Sequence, residues 1–129
     1  TGGEKLDAVL SSNDSVANGI TNALLTAGYT EEDFPIITGQ DCEITSVKNM
    51  LKGLQSMSVF VDTRRLANVT ADMVDAIMNG EEPEINNTAD YDNGTGIIPT
   101  YLCEPQVCDI DNYKEVLIDS GYYTEDRLQ

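Results

Sequence analysis

The sequence contains no histidine and no tryptophan, and its 7 lysines and arginines stand against 23 aspartates and glutamates. Without histidine there is no Ser-His-Asp set, no Cys-His nucleophile pair and no histidine ligand for zinc. The shortage of basic residues, at a net charge of −16, excludes a nucleic-acid surface, which needs Lys/Arg clusters to displace counterions from phosphates. It argues against a phosphate ligand for the same reason, and no strand is followed by a Gly-rich phosphate loop. Three cysteines are too few for a disulfide scaffold. Cys103 and Cys108 are spaced too widely for a C-x-x-C unit; a Cys103–Cys108 bridge and three buried thiols are the alternatives, the second favoured. No run approaches the roughly 20 apolar residues that span a bilayer. Thr1-Gly2-Gly3 has neither the basic region nor the apolar run of a signal peptide, so a soluble chain is expected, its start lying inside a longer protein.

What is present is a repeated alternation of strand and helix. Leu6-Asp7-Ala8-Val9-Leu10-Ser11-Ser12 predicts a short buried strand, followed by a helix capped by Asn13 or Asp14. Val16, Ile20, Leu24 and Ala27 recur at helical spacing, and Gly28 stands where a helix-ending glycine is expected. Phe34-Pro35-Ile36-Ile37-Thr38-Gly39 predicts a second strand. Val47, Met50, Leu51 and Leu54 place a helix over about 44–55. Ser58-Val59-Phe60-Val61 predicts a third strand. Thr63 can cap a longer helix carrying Leu66, Val69, Met73, Val74 and Ile77, ended by Gly80. Three β-α units with such apolar strands imply an α/β fold, a mostly parallel sheet with helices on both faces. Residues 81–96 are polar loops, Ile97–Leu102 predicts an edge or hinge strand broken by Pro99, and a short helix is expected near Tyr113–Ile118.

Ligands of open α/β sheets bind beyond the carboxyl ends of the strands. Those ends here are Ser12-Asn13-Asp14, Gly39-Gln40-Asp41 and Asp62-Thr63. Carboxylates and amides can engage the vicinal hydroxyls of a sugar. The candidate site therefore comprises Asn13, Asp14, Gln40, Asp41 and Asp62. The plain alternative is that such residues only cap helices; it is favoured for Asp14 and Thr63, whereas Asn13 and Asp41 are favoured as ligand contacts. Asp90-Tyr91-Asp92-Asn93-Gly94 lacks the spacing and closing glutamate of a calcium loop and predicts a turn. No metal, cofactor or catalytic residue is expected.

Ala8–Asp14 with its small-residue helix resembles the C-terminal lobe of type I periplasmic sugar-binding proteins. So do Thr38-Gly39-Gln40-Asp41, Val59-Phe60-Val61-Asp62-Thr63-Arg64, Val69–Ala76, Tyr91-Asp92-Asn93-Gly94, Pro99-Thr100-Tyr101-Leu102 and Val116–Tyr123. The likeness is greatest to the multiple-monosaccharide branch and runs from about Lys5 to Asp126. It implies two α/β lobes closing on a monosaccharide, with Asn13 and Asp41 on its hydroxyls, and delivery to the membrane permease of an ABC transporter. It implies an extracytoplasmic location, in the periplasm or as a cell-surface lipoprotein, and no enzymatic activity. The hinge position, often Lys or Gln in relatives, is Val61 here. The resemblance also divides the chain, with about 1–62 and 97–129 in the C-terminal lobe and about 63–96 in the other. A fragment so divided is expected to dimerise or to pair with its missing upstream half. The rival readings are the effector domain of a sugar-responsive repressor, which shares the fold, and a receiver domain, whose acidic pair Asn13-Asp14 matches poorly.

Overall fold

The structure, a computed structural model, describes residues 5–129. Their contacts divide them into two compact units: the chain up to Phe60 together with Gln106–Gln129, and Val61–Pro105.

The first unit is built on β1 (Ala8–Val9), α1 (Asp14–Thr26), β2 (Ile36–Ile37), α2 (Ile44–Leu51), β3 (Met57–Phe60) and β4 (Gln106–Asp109). β1 and β2 pair in parallel. β2 continues alongside β3 through a parallel bridge between Gln40 and Val59, with Val59 N–H donating to Gly39 O at 2.9 Å and Asp41 N–H to Val59 O at 2.8 Å. The three strands expected from the sequence therefore run parallel. β4 pairs antiparallel with β3, Ser58 opposite Cys108. That strand was not expected; the one expected over Ile97–Leu102 does not form, and Asn87–Thr100 and Asp92–Ile97 make only isolated bridges. Val107-Cys108 is too short an apolar run to announce a strand, and its partner lies some 50 residues upstream.

Burial alternates along these strands, as a pleated surface with one covered face requires. Ile37, Ser58, Phe60 and Cys108 are closed off, whereas Ile36 and Val107 are 58% and 54% exposed. Cys42, Val47, Met50, Phe60, Cys108, Leu117 and Leu128 form the core cluster. The last two come from short tail helices, Lys114–Asp119 with wide π-type turns and the 3₁₀ turn Glu125–Leu128. Lys48 Nζ donates to Gln129 O at 2.6 Å and pins the tail to α2.

α1 begins at Asn13, whose side chain accepts from Val16 N–H at 2.9 Å. It ends in a Schellman turn: Gly28 N–H reaches Leu25 O, Tyr29 N–H reaches Leu24 O, and Gly28 takes φ 92°. Its buried face is not the Val16–Ile20 stripe but Asp14, Ala17 and Thr21, with Val16 47% exposed. Small side chains let α1 and α2 approach closely, and Asn18 Oδ1 accepts from Ser46 Oγ and Asn49 Nδ2 between them.

The second unit is organised by α3 (Thr63–Met78), capped by Asp62 and closed by Asn79 with Gly80 at φ 74°. α3 is amphipathic yet buries none of its residues; Leu66, Val74, Ile77 and Met78 are 47–80% exposed. The rest is loop, organised by Asn86, which donates to Leu102 O and accepts from its N–H, and by Asx turns at Asn87, Asp92 and Asn93. No helix among the described residues is long and apolar enough to cross a membrane.

Candidate functional site

Because β1 and β2 are parallel neighbours, the segments leaving their carboxyl ends meet. Asp14 N–H donates to Gln40 O at 2.9 Å, and Ser11 N–H to Thr38 Oγ1 at 3.2 Å. Four of the five candidates, Asn13, Asp14, Gln40 and Asp41, thus gather at one end of the sheet. The fifth, Asp62, opens α3 in the other unit.

The turn between β2 and α2 has an unusual backbone. Asp41 and Cys42 have φ of 100° and 51°, the left-handed region that residues with a side chain rarely occupy. Aspartate tolerates it better than most, but such a turn persists only when its surroundings fix it. The contacts that do so are on every side. Cys42 N–H donates to Ser58 Oγ at 3.0 Å, Glu43 N–H to Asp14 Oδ2 at 2.8 Å, and Tyr123 Oη to Cys42 O at 3.1 Å.

The side chains of Gln40 and Asp41 lie at the exposed surface of this turn, and neither has a hydrogen-bond partner among the described residues. Asn13 is half-buried; its Oδ1 caps α1, and its Nδ2 likewise has no partner among the described residues. Among the described residues, an acceptor carboxylate, an amide donor and a second amide are therefore without partners at the strand ends.

Asp14, a candidate for which helix capping was the favoured reading, is neither an exposed ligand contact nor a mere cap. It is wholly buried. Its carboxylate accepts from Ser58 Oγ at 2.9 and 3.0 Å, from Gln55 Nε2 at 3.0 Å and from Glu43 N–H. Burial pushes its pKa above the usual carboxylate value; the bonds from Gln55, Ser58 and Glu43 oppose that rise. Gly39 leaves room for this cluster, since a Cβ there would collide with Asp14 Oδ1 and come 2.6 Å from Gln55 Nε2. Gln55 Oε1 is buried without a partner, its amide oriented by donation to Asp14 and Met57 O.

Asp62 is also engaged. It accepts from Arg64 N–H at 2.9 Å and pairs with the Arg64 guanidinium at 2.7 Å. The Arg64 hydrogen bond holds its carboxyl below the ordinary value. The supporting residues Glu43, Gln55, Ser58 and Tyr123 were not foreseen; only Tyr123 lay within a segment that carried the resemblance. A shallow groove lined by Leu25, Thr30, Glu31, Glu32 and Leu54 lies by the other end of α1, away from these groups. No cluster of three or more metal-ligating side chains occurs among the described residues.

Ligands of parallel α/β sheets bind beyond the carboxyl ends of the strands, where these polar groups lie. The periplasmic binding protein domain family matches residues 1–82, and the chain belongs to that family. It is 47% identical over 126 residues to the multiple sugar-binding periplasmic receptor ChvE of Rhizobium radiobacter, covering 96% of this chain and 36% of that protein. It is 45% identical to the multiple sugar-binding periplasmic protein SbpA of Azospirillum brasilense, covering 96% and 35%. Among solved structures, an ABC transporter solute-binding protein from Clostridium phytofermentans with bound β-D-glucose superposes with a TM-score of 0.90 at 64% identity, covering 99% of this chain and 39% of that one. The chain thus spans about a third of the length of the curated relatives it matches, and these relatives come from the branch the sequence motifs indicated.

Proposed function

We propose that the protein is the extracytoplasmic solute-binding component of an ABC transporter. It binds a monosaccharide of the glucose class and presents it to the membrane permease, with no bond broken. Asn13, Gln40 and Asp41 hydrogen-bond the sugar hydroxyls. Asp14 acts from behind by holding the Asp41 turn, and Asp62, at the start of α3, is a candidate of the second unit taken by itself, where Arg64 competes for it. The observation that carries this reading is the exposed Asp41 carboxylate, unpartnered among the described residues, on a left-handed turn beyond β2, in a chain 64% identical to a glucose-bound solute-binding protein.

The two units are read as belonging to different lobes, the chain changing units between Phe60 and Val61 and again between Pro105 and Gln106. The exposed apolar face of α3 is covered, in this reading, by a part of the protein corresponding to the remainder of its longer relatives, and otherwise by a second copy. The location is periplasmic, or on the cell surface as a lipoprotein. Calorimetry with a panel of monosaccharides, on the protein at the full length of its relatives, tests the assignment. Saturable binding of an aldose supports it, and no heat with any sugar opposes it.

A further inference from the structure

Two of the three cysteines meet in the core of the first unit. Cys108 lies opposite Ser58 in the β3–β4 ladder, where directly facing Cα atoms are about 4.5–5.5 Å apart. Cys42 approaches the same serine: its N–H donates to Ser58 Oγ at 3.0 Å and its Sγ lies 3.9 Å from Ser58 O. Both side chains have no exposed surface and belong to one core cluster. Each thiol perturbs the titration of the other, Cys42 upward and Cys108 downward. Two thiols held against one residue in one core cluster are placed where a disulfide can be sought.

We propose that Cys42 and Cys108 are a redox pair that closes into a disulfide and fastens the Asp41–Cys42 turn to β4. With a small-molecule disulfide as oxidant, one cysteine thiolate attacks its sulfur and expels one thiol. The second cysteine then loses its proton, attacks the mixed disulfide and expels the other. One protein disulfide forms, two electrons pass to the oxidant, and two small thiols leave. Cys108 makes the first attack. It lies on β4, the strand whose separation exposes it, and the neighbouring Cys42 lowers its pKa, while Cys108 and burial raise that of Cys42. β4 pairs only with β3 among the described residues, so local separation of this strand admits the oxidant without global unfolding. Cys103 belongs to the other unit and takes no part.

The inference concerns the geometry of the first unit and does not depend on the sugar assignment. Its test is to incubate the folded protein with oxidised glutathione, quench in acid, alkylate under denaturing conditions, and map the peptides. The expected result is that two of the three thiols escape alkylation, that a Cys42–Cys108 linked peptide appears, and that the thermal midpoint rises and returns with reductant. Cys103→Ser leaves this unchanged, and Cys108→Ser abolishes it. Three alkylatable thiols after oxidation, a linked peptide containing Cys103, or stable glutathione adducts alone would overturn it.

Discussion

The buried carboxylate of Asp14 accepts the backbone N–H of Glu43 at 2.8 Å, joining the first turn of α1 to the far side of the turn that carries Asp41. One residue at the start of a helix thereby fixes a loop 29 positions downstream, and the exposed groups at the strand ends depend on it.

Replacing Asp14 by alanine leaves the Glu43 N–H, the Ser58 hydroxyl and the Gln55 amide without their acceptor. An unsatisfied buried group costs about 1–3 kcal/mol, so urea unfolding should show a loss of at least that size. Asp14→Asn adds a pH signature. The folded pKa of Asp14 lies above its ordinary 3.8, so the folded state holds the proton more tightly. Its contribution to stability is full below pH 3.8 and falls as pH rises through the folded value. The stability difference between wild type and Asp14→Asn should shrink over that window, measured at a series of pH values.

Gly39→Ala places a methyl group against the Asp14–Gln55 pair. Overpacking of this kind costs roughly 1–3 kcal/mol, here with loss of the Asp14 hydrogen bonds. The same substitution at Gly19, where an added Cβ meets nothing within 4 Å, should leave the thermal midpoint unchanged or raise it.

Arg64→Ala removes the guanidinium from Asp62 and leaves the backbone N–H cap at position 64 in place. The pair is partly exposed, with side chains 46% and 28% accessible, so its loss should cost under about 1 kcal/mol at neutral pH. The folded pKa of Asp62 is depressed, so the stabilisation is present above 3.8 and lost as pH falls through the folded value. Thermal melts of both proteins should differ at neutral pH and converge in acid.

The apolar side of α3 predicts association of the isolated chain. Leu66, Val74, Ile77 and Met78 are all exposed, and such a patch is normally covered in a soluble protein. Light scattering on the 129-residue chain should report a mass above the monomer. Leu66→Glu with Ile77→Glu should return it to the monomer.

The sequence made legible whatever depends on neighbours. The alternation of apolar runs and turn residues placed β1 to β3 and α1 to α3, and the Asn13 cap and the Gly28 turn are local devices. Long-range pairing left no such mark. β4 needs β3 as its template, and Val107-Cys108 alone does not announce it. The buried face of α1 is Asp14, Ala17 and Thr21, too small and polar to outweigh Val16 and Ile20 in a periodicity of apolar residues. Asp14 resembled an ordinary capping residue because its partners Glu43, Gln55 and Ser58 lie 29, 41 and 44 positions away. The strand-end candidates were legible because parallel topology brings consecutive carboxyl ends together; which of them would stay exposed was not.

The central claim is that the free carboxylate of Asp41 holds a sugar hydroxyl. It is tested most directly by titrating D-glucose into the protein at the full length of its relatives, wild type and Asp41→Ala, with Asp41→Asn as the variant that best tolerates the left-handed backbone. Removing the acceptor leaves a buried hydroxyl unpaired, at a cost of ~1–3 kcal/mol or roughly 5- to 150-fold in Kd. Because that carboxylate has no protein partner among the described residues, the melting temperature of Asp41→Asn should match wild type. Weakened binding with an unchanged melt is the predicted result; equal affinity in all three proteins would contradict the account.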